Sequence, residues 1–260
     1  MILRRLTDAF RKQDWFTVAV ETLIVVLGVF LGIQLGNWNE ARVEKHLSRT
    51  YVDRLINELQ LEQQTIEIQI DYYTEVLAAV RRAAALLEDE EADPKELVAS
   101  AYRATEVLIL ARTDATWTQM TASGDLTLLP QDTIPLLNYS YSFDAGGEAL
   151  RTLSASDYRR AVRQIIPIEV QDAIRTGCGD QANKDKATIG FMEDCNIDVD
   201  PSLLRSTAEA LRDDPAVALT LNYQYSDVRF AIGNLASKVP VLRRALDAMG
   251  APPGDEGVTP

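Results

Sequence analysis

The stretch EDCNIDVDP, residues 193–201, places oxygen-bearing side chains at alternate positions. Asp194, Asn196, Asp198 and Asp200 match the first half of a calcium loop, where side-chain oxygens at every second residue wrap a hard cation. The match then fails. Val199 stands where such a loop needs its turn glycine, and Arg205 where it needs a bidentate glutamate. The competing reading is a polar loop in which Asp200 caps the next helix, and it is the expected one. The four residues are retained only as a calcium candidate, and no cofactor is assigned.

Other chemistry is sparse. The single histidine, His46, lies among charged residues, and one imidazole alone builds neither a histidine-rich metal site nor a triad. The chain has no G-x-S-x-G, P-loop or G-x-G-x-x-G pattern, so no catalytic residue is expected. Cys178 and Cys195 are not spaced as a redox C-x-x-C pair. In a reducing compartment they read as inert thiols; outside the cytoplasm they read as a disulfide closing a Gly- and Asp-rich loop.

The compartment depends on the opening segment. Between Phe16 and Leu35 the only charge is Glu21, and Trp15 and Trp38 bracket the run. At the helical rise the two tryptophans stand roughly 35 Å apart, which suits a hydrocarbon core of about 30 Å crossed with some tilt. Tryptophans favour the two membrane–water interfaces. A cleaved signal peptide would end in a small-x-small site, whereas GNWNEARVEK follows here and continues a helical pattern. A retained transmembrane helix over residues 15–38 is therefore expected.

Charge near the span hardly decides orientation, because Arg4, Arg5, Arg11 and Lys12 precede it and Arg42, Lys45, Arg49 and Arg54 follow. Residues 1–14 form a basic amphipathic segment suited to an anionic cytoplasmic leaflet. Residues 1–49 hold seven Lys/Arg and five Asp/Glu, so of the net charge of −13 the rest of the chain carries −15. The acidic body argues against nucleic acid, which needs Lys/Arg against its phosphates. The expectation is N-terminus in the cytoplasm and body outside the inner membrane, in the periplasm.

Gly28, Gly32 and Gly36 form two overlapping G-x-x-x-G units, a flat stripe on which another helix backbone can approach closely. Glu21, seven residues before Gly28, falls near that stripe. A carboxyl group there must be neutral, paired or turned into an interface, unless it reaches the headgroups. The partners this implies are the bilayer and a second helix, either from another protein or from another copy.

From Val52 the apolar positions step by four and three through Ile56, Leu59, Ile66, Ile70, Tyr73, Leu77, Val80, Ala84 and Leu87, interrupted by Gln63. This heptad seam predicts a stalk helix over 39–88. It could pair with another copy as a coiled coil or form one arm of an intramolecular bundle. Tyr73 and Ala84 make a poor zipper, so the bundle is favoured. Further helices are expected from Lys95 to about Arg112, from Asp114 to Gly124, and from an Asp132 cap to glycines 146 and 147, which loosen or end it. A kinked helix about Pro167 follows, and Asp200–Pro201 and Asp214–Pro215 open two more, the last reaching Met249 with a kink at Pro240. The body, 39–249, is all-α, and residues 250–260 are too polar and Pro/Gly-rich to pack.

A basic N-terminus, a Trp, an acidic residue before VVLGVFLGIQ and then NWNEAR resemble an uncharacterised family of bacterial single-pass membrane proteins. SGDLTLL, after Trp117 and Met120, is similar to that family's second short motif, S-G-x-L-x-L. The resemblance covers residues 15–42 and 116–129 and does not include the cysteine loop. It implies an inner-membrane anchor, a mostly helical periplasmic body and no known activity.

Two functions are expected from these readings: a membrane-tethered helical interaction or scaffold module without catalysis, or a ligand-binding sensory bundle acting through a partner protein.

Overall fold

The computed structural model describes residues 15–183, 188–192 and 195–251. The basic segment 1–14, the side chain of Trp15, Asp194 and residues 252–260 lie outside them. The chain forms two units, residues 1–53 and 54–260. The described part of the first is helical throughout, belonging to α1 (Trp15–Glu88), a helix of 74 residues. Its most apolar window has a mean hydropathy of 2.0 and no buried residue, so α1 is long and apolar enough there to cross a membrane.

The second unit is an all-α bundle with one small hairpin. Its elements are the remainder of α1, α2 (Pro94–Arg103), α3 (Ala115–Ser123), a 3-10 turn at Asp125–Leu128, α4 (Ile134–Ser142), α5 (Ala145–Ser154), α6 (Asp157–Ile165), α7 (Ile168–Cys178), strands β1 (Asp180–Asn183) and β2 (Thr188–Phe191), α8 (Pro201–Asp213) and α9 (Pro215–Ala248). The two strands pair antiparallel.

Three helices open with the same device. Asp93, Asp200 and Asp214 each precede a proline and accept a hydrogen bond from the amide two residues on, at Lys95 (3.0 Å), Ser202 (2.7 Å) and Ala216 (2.8 Å). Proline loses no needed donor at the first helical position, and the aspartate satisfies an otherwise orphaned one.

The buried row of α1 is Leu55, Leu59, Glu62, Ile66, Gln69, Tyr73, Val76, Val80, Ala83 and Leu86. It lies one residue before the expected seam at most positions, and Val52, Ile56, Gln63, Ile70, Ala84 and Leu87 are half-buried flanks. The seam is intramolecular. α9 supplies a matching heptad row, Val217, Leu221, Gln224, Val228, Ala231, Leu235, Lys238, Leu242 and Ala245, and also packs on α4, α5, α6 and α8. Arg81 stacks over Tyr225 and Lys238 reaches Glu62, so α9 runs antiparallel to residues 54–88.

Four boundaries differ from expectation. α2 stops at Arg103 rather than near Arg112, because Thr105 turns its hydroxyl back to the Tyr102 carbonyl (2.6 Å) and Arg159 captures the Thr105 carbonyl. Thr133, not Asp132, stands at the start of α4. Gly146 and Gly147 open α5 instead of ending a helix: Asp144 caps the Gly147 amide, and a Cβ at Gly146 would meet Gln69 Oε1 at 2.7 Å. Pro167 breaks its segment into α6 and α7, and Gln171 Nε2 satisfies the freed carbonyls of Arg163 (3.0 Å) and Ile166 (2.8 Å). Pro240, by contrast, lies inside α9.

Candidate functional site

A groove of about 850 Å³ opens between α1, α2 and the end of β2. Small side chains, Ala78 and Ala79 from α1 and Ala99 and Ser100 from α2, leave the space. Glu75, Arg82, Asp93, Lys95, Glu96 and Arg103 bring charge, and Phe191, Met192, Cys195 and Asn196 complete the lining. The size is that of a small-molecule site.

The wall formed by the hairpin is tightly fixed. Cys178 and Cys195 are joined (S–S 2.00 Å). Asn196 N donates to the Gly177 carbonyl at 3.0 Å, and a Cβ on Gly177 would lie 1.7 Å from Asn196 O, so only glycine fits. Phe191 N donates to Glu75 Oε2 (2.7 Å), Tyr72 Oη to Asp180 Oδ2 (3.1 Å), and an Arg103 guanidinium nitrogen to the Met192 carbonyl (2.7 Å). The Arg103 guanidinium also sits over the Phe191 ring, 5.0 Å from its centre. Burial lowers the Arg103 pKa while Glu75, Asp180 and Glu106 oppose that shift.

Two polar clusters lie deeper. Lys238 Nζ donates to Glu62 Oε1 at 2.6 Å, and Arg112 Nε lies 3.4 Å from the same oxygen. Burial pushes the Lys238 ammonium down from its ordinary value, against the pull of Glu62. Beside it is a cavity of about 40 Å³ lined in part by Glu62, Gln69, Arg112 and Asp144, room for about one water. Glu58 accepts from Thr116 N (2.8 Å) and Tyr141 Oη (3.1 Å), and Trp117 stacks flat on Tyr141 at 5.1 Å. In the second cluster Arg163 lies over the Tyr102 ring, 3.3 Å from its centre, and donates to Thr105 Oγ1 (2.8 Å) and Glu106 Oε1 (3.2 Å). Arg175 Nε donates to Tyr102 Oη at 2.8 Å.

Of the candidate site residues singled out from sequence, Cys195 and Asn196 line the groove and the other described ones lie outside both the groove and the polar clusters. Asp200 serves as the cap of α8, accepting from both the amide and the hydroxyl of Ser202 (2.7 Å each). Asn196 and Asp198 are exposed on either side of buried Ile197, and Asp194 lies outside the described residues. Among the described residues no group of three or more His, Cys, Asp or Glu could hold a metal. His46 is exposed, its carbonyl accepting from Thr50 Oγ1 at 3.0 Å. Glu21 and Trp38 are exposed on α1, and a Cβ at Gly28, Gly32 or Gly36 would meet nothing within 4 Å.

Sequence reading missed Lys238, Glu62, Arg103 and Arg163. A signal existed for Lys238, which stands at a core step of the otherwise largely apolar α9 row. No protein family, curated protein or solved structure matches the chain.

Proposed function

We propose that this chain is a membrane-anchored helical interaction module: a single-pass protein of the bacterial inner membrane, N-terminus cytoplasmic, with a periplasmic body that holds a partner or another copy and performs no catalysis. The observation that carries this reading is α1. From Ala19 onward its apolar stretch is exposed and bears three open glycines on one stripe, and the same helix supplies the buried row of the second unit. The disulfide supports an oxidising compartment. Tyr72, Tyr141, Tyr158 and Lys238, whose pKa values burial shifts, sit against structural neighbours within the bundle, and Arg103, shifted in the groove lining, is held by the Met192 carbonyl, which favours binding over chemistry. The family resemblance of residues 15–42 and 116–129 belongs to the same proposal. The oligomeric state of the full chain in mild detergent, wild type against Gly32→Leu, tests it: a monomer in both removes the self-association arm.

The groove of about 850 Å³ favours a second reading, a ligand-binding bundle that signals through a partner. Thermal-shift screening against small ligands decides it, and no shift with any ligand counts against it.

A further inference from the structure

α9 carries two rows of residues at heptad spacing. The first faces the core. The second lies two positions further on, about 200° around the helix and so directly opposite the core. It reads Leu219, Tyr223, Ser226, Phe230, Gly233 and Ser237. Leu219 is 68% exposed, Tyr223 75% and Phe230 63%, and a Cβ at Gly233 would meet nothing within 4 Å. Three large apolar side chains set among three small residues along one outward face, at 4–3 steps, fit a helix seam.

We infer that this outer face of α9 is a docking surface for α9 of a second copy, packed parallel and in register. Polar flanks choose the direction. In a parallel pair, a residue beside the seam faces the one five positions later on the other helix. Asn222 then meets Asp227 of the second copy, and Arg229 meets Asn234 of the second copy, each a donor–acceptor match. An antiparallel pair that matches Tyr223 with Phe230 brings the two Asp227 carboxylates together at its centre. Leu219, Tyr223 and Phe230 together offer roughly 400 Å² per copy, or about 800 Å² for two, below the range of stable soluble complexes. The face therefore makes a weak dimer alone and a populated one when both copies are confined by their anchors, which raise effective concentration. This last step rests on the anchored reading proposed above.

Single cysteines at Leu219 and at Gly233 in the full chain, oxidised in native membranes, test the proposal. Both variants are expected to form disulfide-linked homodimers, with Glu209→Cys on α8, an exposed site away from the seam, as the uncrosslinked control. Adding Phe230→Glu or Tyr223→Glu is expected to cut the crosslinked fraction about tenfold, as loss of an aromatic anchor does. Both side chains are exposed, and an intact Cys178–Cys195 bond in each variant confirms folding. Absence of homodimer, crosslinking indifferent to both glutamates, crosslinking only between mixed Leu219→Cys and Gly233→Cys chains, or a product with a different protein each overturns it. Alkaline carbonate extraction reads the anchor separately: release from membranes refutes the anchored reading, while the crosslinks report on α9.

Discussion

Lys238 and Glu62, 176 residues apart in the chain, meet at 2.6 Å in the interior of the second unit. The lysine is fully buried and the glutamate nearly so. Such a pair adds little net stability, because desolvating two charges offsets most of their attraction, but breaking it strands a charge. It ties the middle of α1 to the last third of α9 in one register.

Lys238→Met is therefore expected to destabilise the protein by about 2–3 kcal/mol, less than for a fully orphaned charge because Arg112 still faces Glu62. The double variant Glu62→Met with Lys238→Met is expected to recover part of that loss, and urea denaturation of the three chains measures it. The pH response has a definite sign. The folded pKa of Lys238 is lowered by burial, so between that value and the ordinary lysine value the unfolded chain binds more protons. Its contribution to stability rises with pH across that window, and Lys238→Met removes the rise.

Four tyrosines act the other way. Burial, first of all causes, raises the pKa of Tyr72, Tyr73, Tyr141 and Tyr158, and the carboxylates of Asp180 and Glu58 add to it for Tyr72 and Tyr141. Above about pH 10 the unfolded chain ionises tyrosines that the folded chain keeps neutral, so stability falls as pH rises. Tyr158 bonds only weakly, to the Ala101 carbonyl at 3.5 Å. Tyr158→Phe is thus expected to be near neutral at pH 7 and to shallow the alkaline decline, measured as melting temperature against pH.

Helix class, the anchor-like segment and the Asp-Pro starts were legible because each depends on local periodicity or on two adjacent residues. The stop of α2 at Arg103 was not, because it depends on Arg159, far away in sequence, taking the Thr105 carbonyl. The α1 seam was right at Leu59, Ile66, Tyr73, Leu77 and Val80 and one residue off at the other steps, for a similar reason. Glu62 and Gln69 occupy buried steps, and only the distant Lys238 and the glycine at 146 make them acceptable there. The hairpin at 180–191 lacks apolar alternation. Its position comes from Glu75, Arg103 and the disulfide, so no strand signal was available. The groove arises from four small residues on two helices, a pattern that resembles ordinary helix packing until both helices are placed.

Asp200 gives a prediction that separates a cap from a calcium ligand. Its carboxylate already accepts from Ser202 twice. Asp200→Ala is expected to lower stability through loss of the N-cap, while Asp200→Asn or Asp200→Ser retains most of it. Millimolar calcium is expected to leave the melting temperature of the wild type unchanged, and a rise abolished by Asp198→Ala would restore the metal reading.

The disulfide loop should dominate the response to reduction. Cys178 and Cys195 are 17 residues apart, and closing a loop of that size stabilises by about 3 kcal/mol in the chain-entropy model. Reduction, or Cys178→Ser with Cys195→Ser, is expected to lower stability by that order and to loosen the hairpin wall of the groove. Glu75 and Arg103 still hold β2 there, so proteolysis should begin within residues 179–195 while the helices survive. Gly177→Ala tests the same wall with the bond intact. Its methyl group would collide with the Asn196 backbone carbonyl, a clash that no rotamer change relieves. A loss of about 1–3 kcal/mol is expected, with early cleavage in the same loop. Global unfolding without that local step would show the hairpin to be integral to the bundle rather than clipped onto it.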